Sequence, residues 1–236
     1  MERYTYMIFK TICYILLTSP LMGQSEIWLK LEKGDAMYLD VTSMKWQPLG
    51  SKEKIAPRTY VLTKADATLK IYRETNVYDA PAGGYFYIED MFVNNKRDLV
   101  SEITRIEAEQ LPSQPVERAN DQKFGLTYGR ANETLAENQS VPYLSERMRA
   151  IRWFEEHQYA ETALLSLKRL ISKFPSLYFE PSNFDRLCSL YMKLGLYGFL
   201  FDETNRFMTL KRDDEFGQMV IRWNETAKKK LTTSGQ

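Results

Sequence analysis

Histidine is nearly missing from this 236-residue chain, and His157 is the only one. That excludes a histidine-rich metal centre and leaves a Ser-His-Asp triad or a Cys-His dyad a single candidate base. Cysteine is almost as scarce, with Cys13 and Cys188 alone. No G-x-x-x-x-G-K-S/T phosphate loop or G-x-G-x-x-G turn occurs, and Gly83-Gly84 reads as a turn signal only. Asp35, Asp40, Asp66, Glu89 and Asp90 lie near strand ends, yet they do not form the dense acidic loop that binds calcium. An excess of one charge is lacking too: 32 basic and 31 acidic residues leave no electrostatic case for nucleic acid.

What is present begins with a leader. Arg3 and Lys10 accompany an apolar stretch from Met7 to Met22, followed by the small residues Gly23 and Ser25. That order, basic then apolar then small, describes a secretory signal. A transmembrane anchor needs roughly 18–20 uninterrupted apolar residues, whereas Lys10 and Pro20 break this one. Residues 1–23 therefore read as a signal peptide cut after Gly23, with Gln24 first in the mature chain. A glutamine at that place resembles leaders of Bacteroidota, which implies a periplasmic or secreted bacterial envelope protein. Cys13 sits inside the apolar core of the leader, which argues against a lipoprotein. Loss of Glu2, Arg3 and Lys10 brings the two charge signs level. It also leaves Cys188 alone, so no intramolecular disulfide forms. Membrane association would follow only from a retained leader.

Residues 24–111 read as a β domain with a closing helix. Ile27–Leu31 and Ala36–Val41 flank Lys33-Gly34-Asp35, a hairpin-turn signal. Thr59–Thr63 is rich in β-branched and aromatic residues, and Thr68–Arg73 alternates apolar with polar. Ala80–Gly84 turns the chain into Tyr85-Phe86-Tyr87-Ile88. Short strands at this spacing predict a small sandwich or open barrel. Trp46-Gln47-Pro48-Leu49, Ile55, Tyr60–Thr63 and Ala67–Ile71 together resemble the strand pattern of FecR-like β domains. That resemblance implies an envelope module for signalling or ligand contacts. Asp98 is placed to cap a helix with Leu99, Ile103 and Ile106 inward and Glu102, Arg105 and Glu109 toward water. Residues 112–143 are polar and lack periodicity, as a linker should, with a short helix predicted over Ala131–Glu137.

From Leu144 the apolar residues keep helical time. Ser145 is the predicted N-cap of a first helix carrying Met148, Ile151 and Phe154. Ala163, Leu164, Leu167, Leu170, Ile171 and Phe174 form one stripe, and Phe184, Leu187, Cys188, Tyr191 and Leu194 another. Short connections at His157-Gln158 and Gly195-Leu196 make consecutive helices antiparallel hairpins. Trp153–Leu164, ending at Lys173-Phe174-Pro175, resembles a tetratricopeptide (TPR) unit, and Leu190–Tyr197 begins a second copy. Tyr159 and Tyr197 are spaced near the roughly 34 residues of that family. A last helix from Asp213 to Leu231 opens on acids and ends on Lys228–Lys230, complementing its dipole and capping the array. The predicted fold class is α+β, with the β sandwich or barrel followed by a TPR-like helical domain over 144–236.

Little in this inventory supports catalysis. His157 reads as a solvated turn residue, and Cys188 as a small core hydrophobe. Glu155-Glu156 and Glu107/Glu109 are spaced so that neither pair converges on one substrate, and both read as solvated faces. Aromatic residues are the excess. Tyr178 and Phe179 belong to a connection, and Phe199 and Phe201 lie two apart on a helix, so the four form a candidate exposed partner site. Tyr85 and Tyr87 are candidates for stacking on a small molecule or glycan. The expectation is a protein without enzymatic activity or cofactor that docks another envelope protein on its TPR-like surface. The alternative is ligand or glycan sensing by the β domain.

Overall fold

The computed structural model describes residues 26–109, 141–210 and 212–234. The predicted leader, most of the predicted linker and the helix expected over Ala131–Glu137 lie outside the described residues. The chain is α+β: among the described residues two antiparallel four-stranded sheets lead into six α-helices.

The first sheet takes β1 (Ile27–Lys33), β4 (Lys52–Ile55), β6 (Thr68–Arg73) and β7 (Asn76–Asp79) in the order β4-β1-β6-β7. The second takes β2 (Ala36–Asp40), β3 (Lys45–Pro48), β5 (Tyr60–Thr63) and β8 (Tyr85–Tyr87) in the order β3-β2-β5-β8. β1 and β2 thus lie in different sheets, which corrects the hairpin expected at Lys33-Gly34-Asp35. The turn is a corner. Gly34 has φ +72°, and its carboxyl-side neighbour Asp35 accepts a backbone hydrogen bond from Lys64 at 2.9 Å. Alternation holds elsewhere: Ile27, Leu29, Leu69 and Ile71 are buried on one side of the first sheet.

A 3₁₀ turn over Ile88–Phe92 leads to α1 (Lys96–Ala108). Its N-cap is Asn95, whose side chain accepts from the Asp98 amide at 2.9 Å, so Asp98 is capped rather than capping. Leu99, Ile103 and Ile106 are buried as the stripe requires. Five helices follow: α2 (Leu144–Glu156), α3 (Ala160–Lys173), α4 (Pro181–Lys193), α5 (Tyr197–Met208) and α6 (Glu215–Ser234). Tyr143, in the left-handed region at φ +56°, stands at the N-cap of α2. Ser145, expected there, instead donates its hydroxyl proton to Glu146 at 2.7 Å. Asp214 does cap α6, accepting from the Gly217 amide at 3.0 Å.

Gln158 (φ +67°) and Gly195 (φ +65°) make the two tight helix connections in the left-handed region. Consecutive helices from α2 to α6 pack against one another, and α1 and the Ile88–Phe92 turn pack on α3. Phe184, Leu187, Cys188 and Tyr191 are fully buried. Buried residues of both sheets and of the helices join in one connected core.

Candidate functional site

The second sheet carries apolar residues on both faces. Residues directly opposite across a strand pair share a face. Ala36 opposes Thr63, and Val61 opposes Phe86; these four are buried in the core direction. On the other face Met37 opposes Leu62, Leu39 opposes Trp46, and Tyr60 opposes Tyr87. Met37, Leu39, Trp46, Tyr60 and Leu62 are half-buried, and none joins the core. An antiparallel sheet with one wet face ordinarily places polar residues there. This one does not.

A line of rings crosses that face. Tyr87 lies 4.9 Å from Tyr60, Tyr60 lies 5.3 Å from Tyr85, and Tyr85 stacks on Tyr143 at 5.5 Å with planes 15° apart. Trp46 meets Tyr85 and Tyr143 edge-on at 5.8 and 6.1 Å. Two guanidiniums, from α2 and α3, cover the β8 end. Arg147 sits 3.8 Å above Tyr85 and Arg169 sits 4.5 Å above Tyr87, at cation–π distance. The helices therefore close over Tyr85 and Tyr87, which are 9% and 8% exposed. Neither ring offers the free stacking face expected of a ligand platform. Tyr143, at the other end of the line, is 41% exposed.

Beneath Tyr87 lies a fully buried carboxylate. Both Asp90 oxygens accept from Arg169 Nε at 3.0 Å, and Oδ1 also accepts from Nη2 at 2.9 Å. Arg169 Nη2 reaches Glu102 at 3.0 Å as well. Burial raises the Asp90 carboxyl to about 6, working against the pull of Arg169. Burial likewise raises the Tyr85 phenol to about 12, so at neutral pH it is a hydrogen-bonding group and not a base. Tyr60, Tyr85, Tyr87, Arg147 and Ser166 surround a space of about 20 Å³. Only a water-sized group fits there.

The other sequence-predicted residues do not gather into one exposed cluster. Tyr178 is 6% exposed, with its hydroxyl buried, whereas Phe179 is 43% exposed and packs against Phe207 and Phe216. Phe199 is half-buried in a stack on Tyr191, and Phe201 lies half-buried beneath Lys228. Only Phe179 keeps the exposure that the aromatic connection was expected to show. His157 stacks on Trp153 at 3.9 Å and its Nδ1 contacts the Trp153 carbonyl at 2.8 Å. Cys188 is fully buried, and burial pushes its thiol far above the usual range. The paired carboxylates are not plain solvated faces. Glu155 pairs with Arg186 at 3.2 Å and Glu107 with the buried Lys168 at 2.9 Å; Glu102, expected toward water, bridges Arg105 and Arg169.

Trp46, Tyr60, Tyr143 and Arg147 were not singled out as site residues by sequence reasoning. Strand alternation alone could have found Tyr60, which shares a face with Leu62 and opposes Tyr87. Among the described residues no group of three histidine, cysteine or acidic side chains is arranged to hold a metal, and no helix is long and apolar enough to cross a membrane. Comparison with protein-family models, curated proteins and solved structures finds no match.

Proposed function

We propose that this chain is a non-catalytic adaptor of the cell envelope that docks another protein on the outer face of its second sheet. The observation that carries the reading is the half-buried set Met37, Leu39, Trp46, Tyr60 and Leu62, which lies outside the core on a sheet whose inner side joins the core through Ala36, Val61 and Phe86. The β2–β3 hairpin extends that set with Val41 and Met44, both exposed. Contiguous apolar surface of this kind marks interaction sites more than chance does, and tryptophan and tyrosine anchor them best. In this reading the TPR-like hairpins α2–α5 brace the sheet through Arg147, Arg169 and Tyr143. The leader sequence supports export to the periplasm or beyond.

Photocrosslinking residues placed at Leu39 and Leu62 test the site in the native cell, with Ile221 on α6 as an exposed apolar control. The reading expects one discrete protein adduct from the sheet positions, none from Ile221, and its loss on Trp46→Ala with thermal stability unchanged. Adducts from all three positions alike, or none from the sheet, would sink it. A second reading, glycan sensing, rests on the exposed Tyr143 ring and the half-buried Trp46 beside it. It gains if Trp46→Ala removes binding to an oligosaccharide while protein adducts persist.

A further inference from the structure

A cleft of about 550 Å³ opens at the end of the first sheet, and of the outer-face residues named above Val41 alone also lines it. Ile27 at the start of β1, Pro57 in the β4–β5 connection and Phe92 in the 3₁₀ turn give it an apolar wall. Arg58 and Arg73 line the same space, with Glu89 as the acidic residue. The volume falls within the roughly 300–1,000 Å³ that small-molecule sites occupy.

The two arginines are held differently. Among its contacts Arg73, at the end of β6, lays its guanidinium 4.5 Å over the Phe92 ring, which orients the fork and strips part of its hydration. Arg58 has a side chain 71% exposed and stands 3.7 Å from Glu89 Oε2, an ionic contact too long for a hydrogen bond. That same Glu89 oxygen already accepts from the Tyr87 hydroxyl at 3.1 Å. Glu89 is thus anchored by Tyr87, while Arg58 is only loosely engaged. A planar guanidinium fork matches a carboxylate through two parallel hydrogen bonds. From these positions we infer that the cleft binds a small organic carboxylate. The anion lies on Arg58 and Arg73, and the apolar body lies against Phe92, Ile27 and Pro57.

Titration calorimetry on the full mature chain tests this with three probes: benzoate, its neutral isostere benzamide, and inorganic phosphate. Benzoate binds, benzamide binds at least about tenfold more weakly, and phosphate does not compete with benzoate. Arg58→Gln weakens benzoate about tenfold, as expected for a lost charge-assisted pair. Glu89→Gln does the opposite and tightens benzoate, because it removes the anion that competes for Arg58. This second variant separates lost recognition from lost folding. Equal affinity for benzamide, no benzoate heat at roughly 10 mM, or weaker benzoate binding in Glu89→Gln would each overturn the assignment. Saturable phosphate binding that excludes benzoate would replace the organic anion with an inorganic one and overturn it as well.

Discussion

Lys168 Nζ lies 2.8 Å from Glu203 Oε2, with the two side chains 0% and 2% exposed. A third group, Glu107 on α1, meets the same ammonium at 2.9 Å. The next residue, Arg169, does the equivalent toward Asp90 and Glu102. Adjacent residues on a helix diverge by about 100°, so one step along α3 sends a cation toward α5 and another toward the β8 end of the sheet. Burial works against the Lys168 charge, yet the surrounding Tyr191 and Glu203 oxygens more than offset it, and the amine stays protonated.

Breaking this pair from one side removes the closest partner of a buried charge. Lys168→Met leaves Glu203 in the core with the longer contacts to Arg206 at 3.6 Å and the Tyr191 hydroxyl at 3.4 Å, and should cost about 3 kcal/mol in urea unfolding at neutral pH. The double variant Lys168→Met/Glu203→Leu should recover most of that loss, because no buried ion remains. A single-variant cost below about 1 kcal/mol would show that the pair is incidental to stability.

Asp90 sets the direction of a pH effect. Its carboxyl is raised to about 6 from an ordinary 3.8, so the folded chain holds that proton more tightly than the unfolded one. Its contribution to stability is then fully present below about pH 4 and declines as pH rises through about 6. The stability of the native sequence relative to Asp90→Asn should be greater at pH 4.5 than at pH 7. Urea titrations at both values read the sign directly.

Cys188 should be silent in the native state. It is fully buried with its thiol pushed well up, so a chromogenic disulfide reagent should react only at the rate of unfolding. Reaction should be complete in denaturant. Fast labelling without denaturant would show that α4 opens locally.

Two glycines with similar backbone angles should respond in opposite ways. A Cβ at Gly34 would sit 2.8 Å from the Ala67 Cα, and its φ of +72° already disfavours side chains. Gly34→Ala should therefore destabilise by about 2 kcal/mol or more. Gly195, at φ +65°, has nothing within 4 Å of such a Cβ. Gly195→Asn should cost under about 1 kcal/mol, since asparagine tolerates the left-handed region. Thermal melts of the two variants compare them.

Helical periodicity made much of the fold legible. The stripe Phe184, Leu187, Cys188 and Tyr191 is buried where its spacing put it, and the left-handed Gln158 and Gly195 fall in the predicted connections. Strand pairing was less legible, because Lys33-Gly34-Asp35 has the composition of a hairpin turn whether the chain reverses or changes sheets. The candidate site was harder still. Tyr85 and Tyr87 were visible as aromatic strand residues, but their covering by Arg147 and Arg169 is a contact across many residues of chain. Tyr178 looked exposed because it sits in a connection. Its neighbour Phe207, 5.2 Å away on α5, is supplied by tertiary packing that local pattern does not encode.

The divergent cations of α3 also bear on what happens when the chain is divided. A cut between Glu109 and Leu144 would leave Asp90 and Glu102 on one fragment and Arg169 on the other. Each fragment would then carry an unanswered charge next to a bare greasy seam. Produced separately, the two pieces should be poorly soluble alone and recombine on mixing, which makes this protein a natural candidate for fragment complementation.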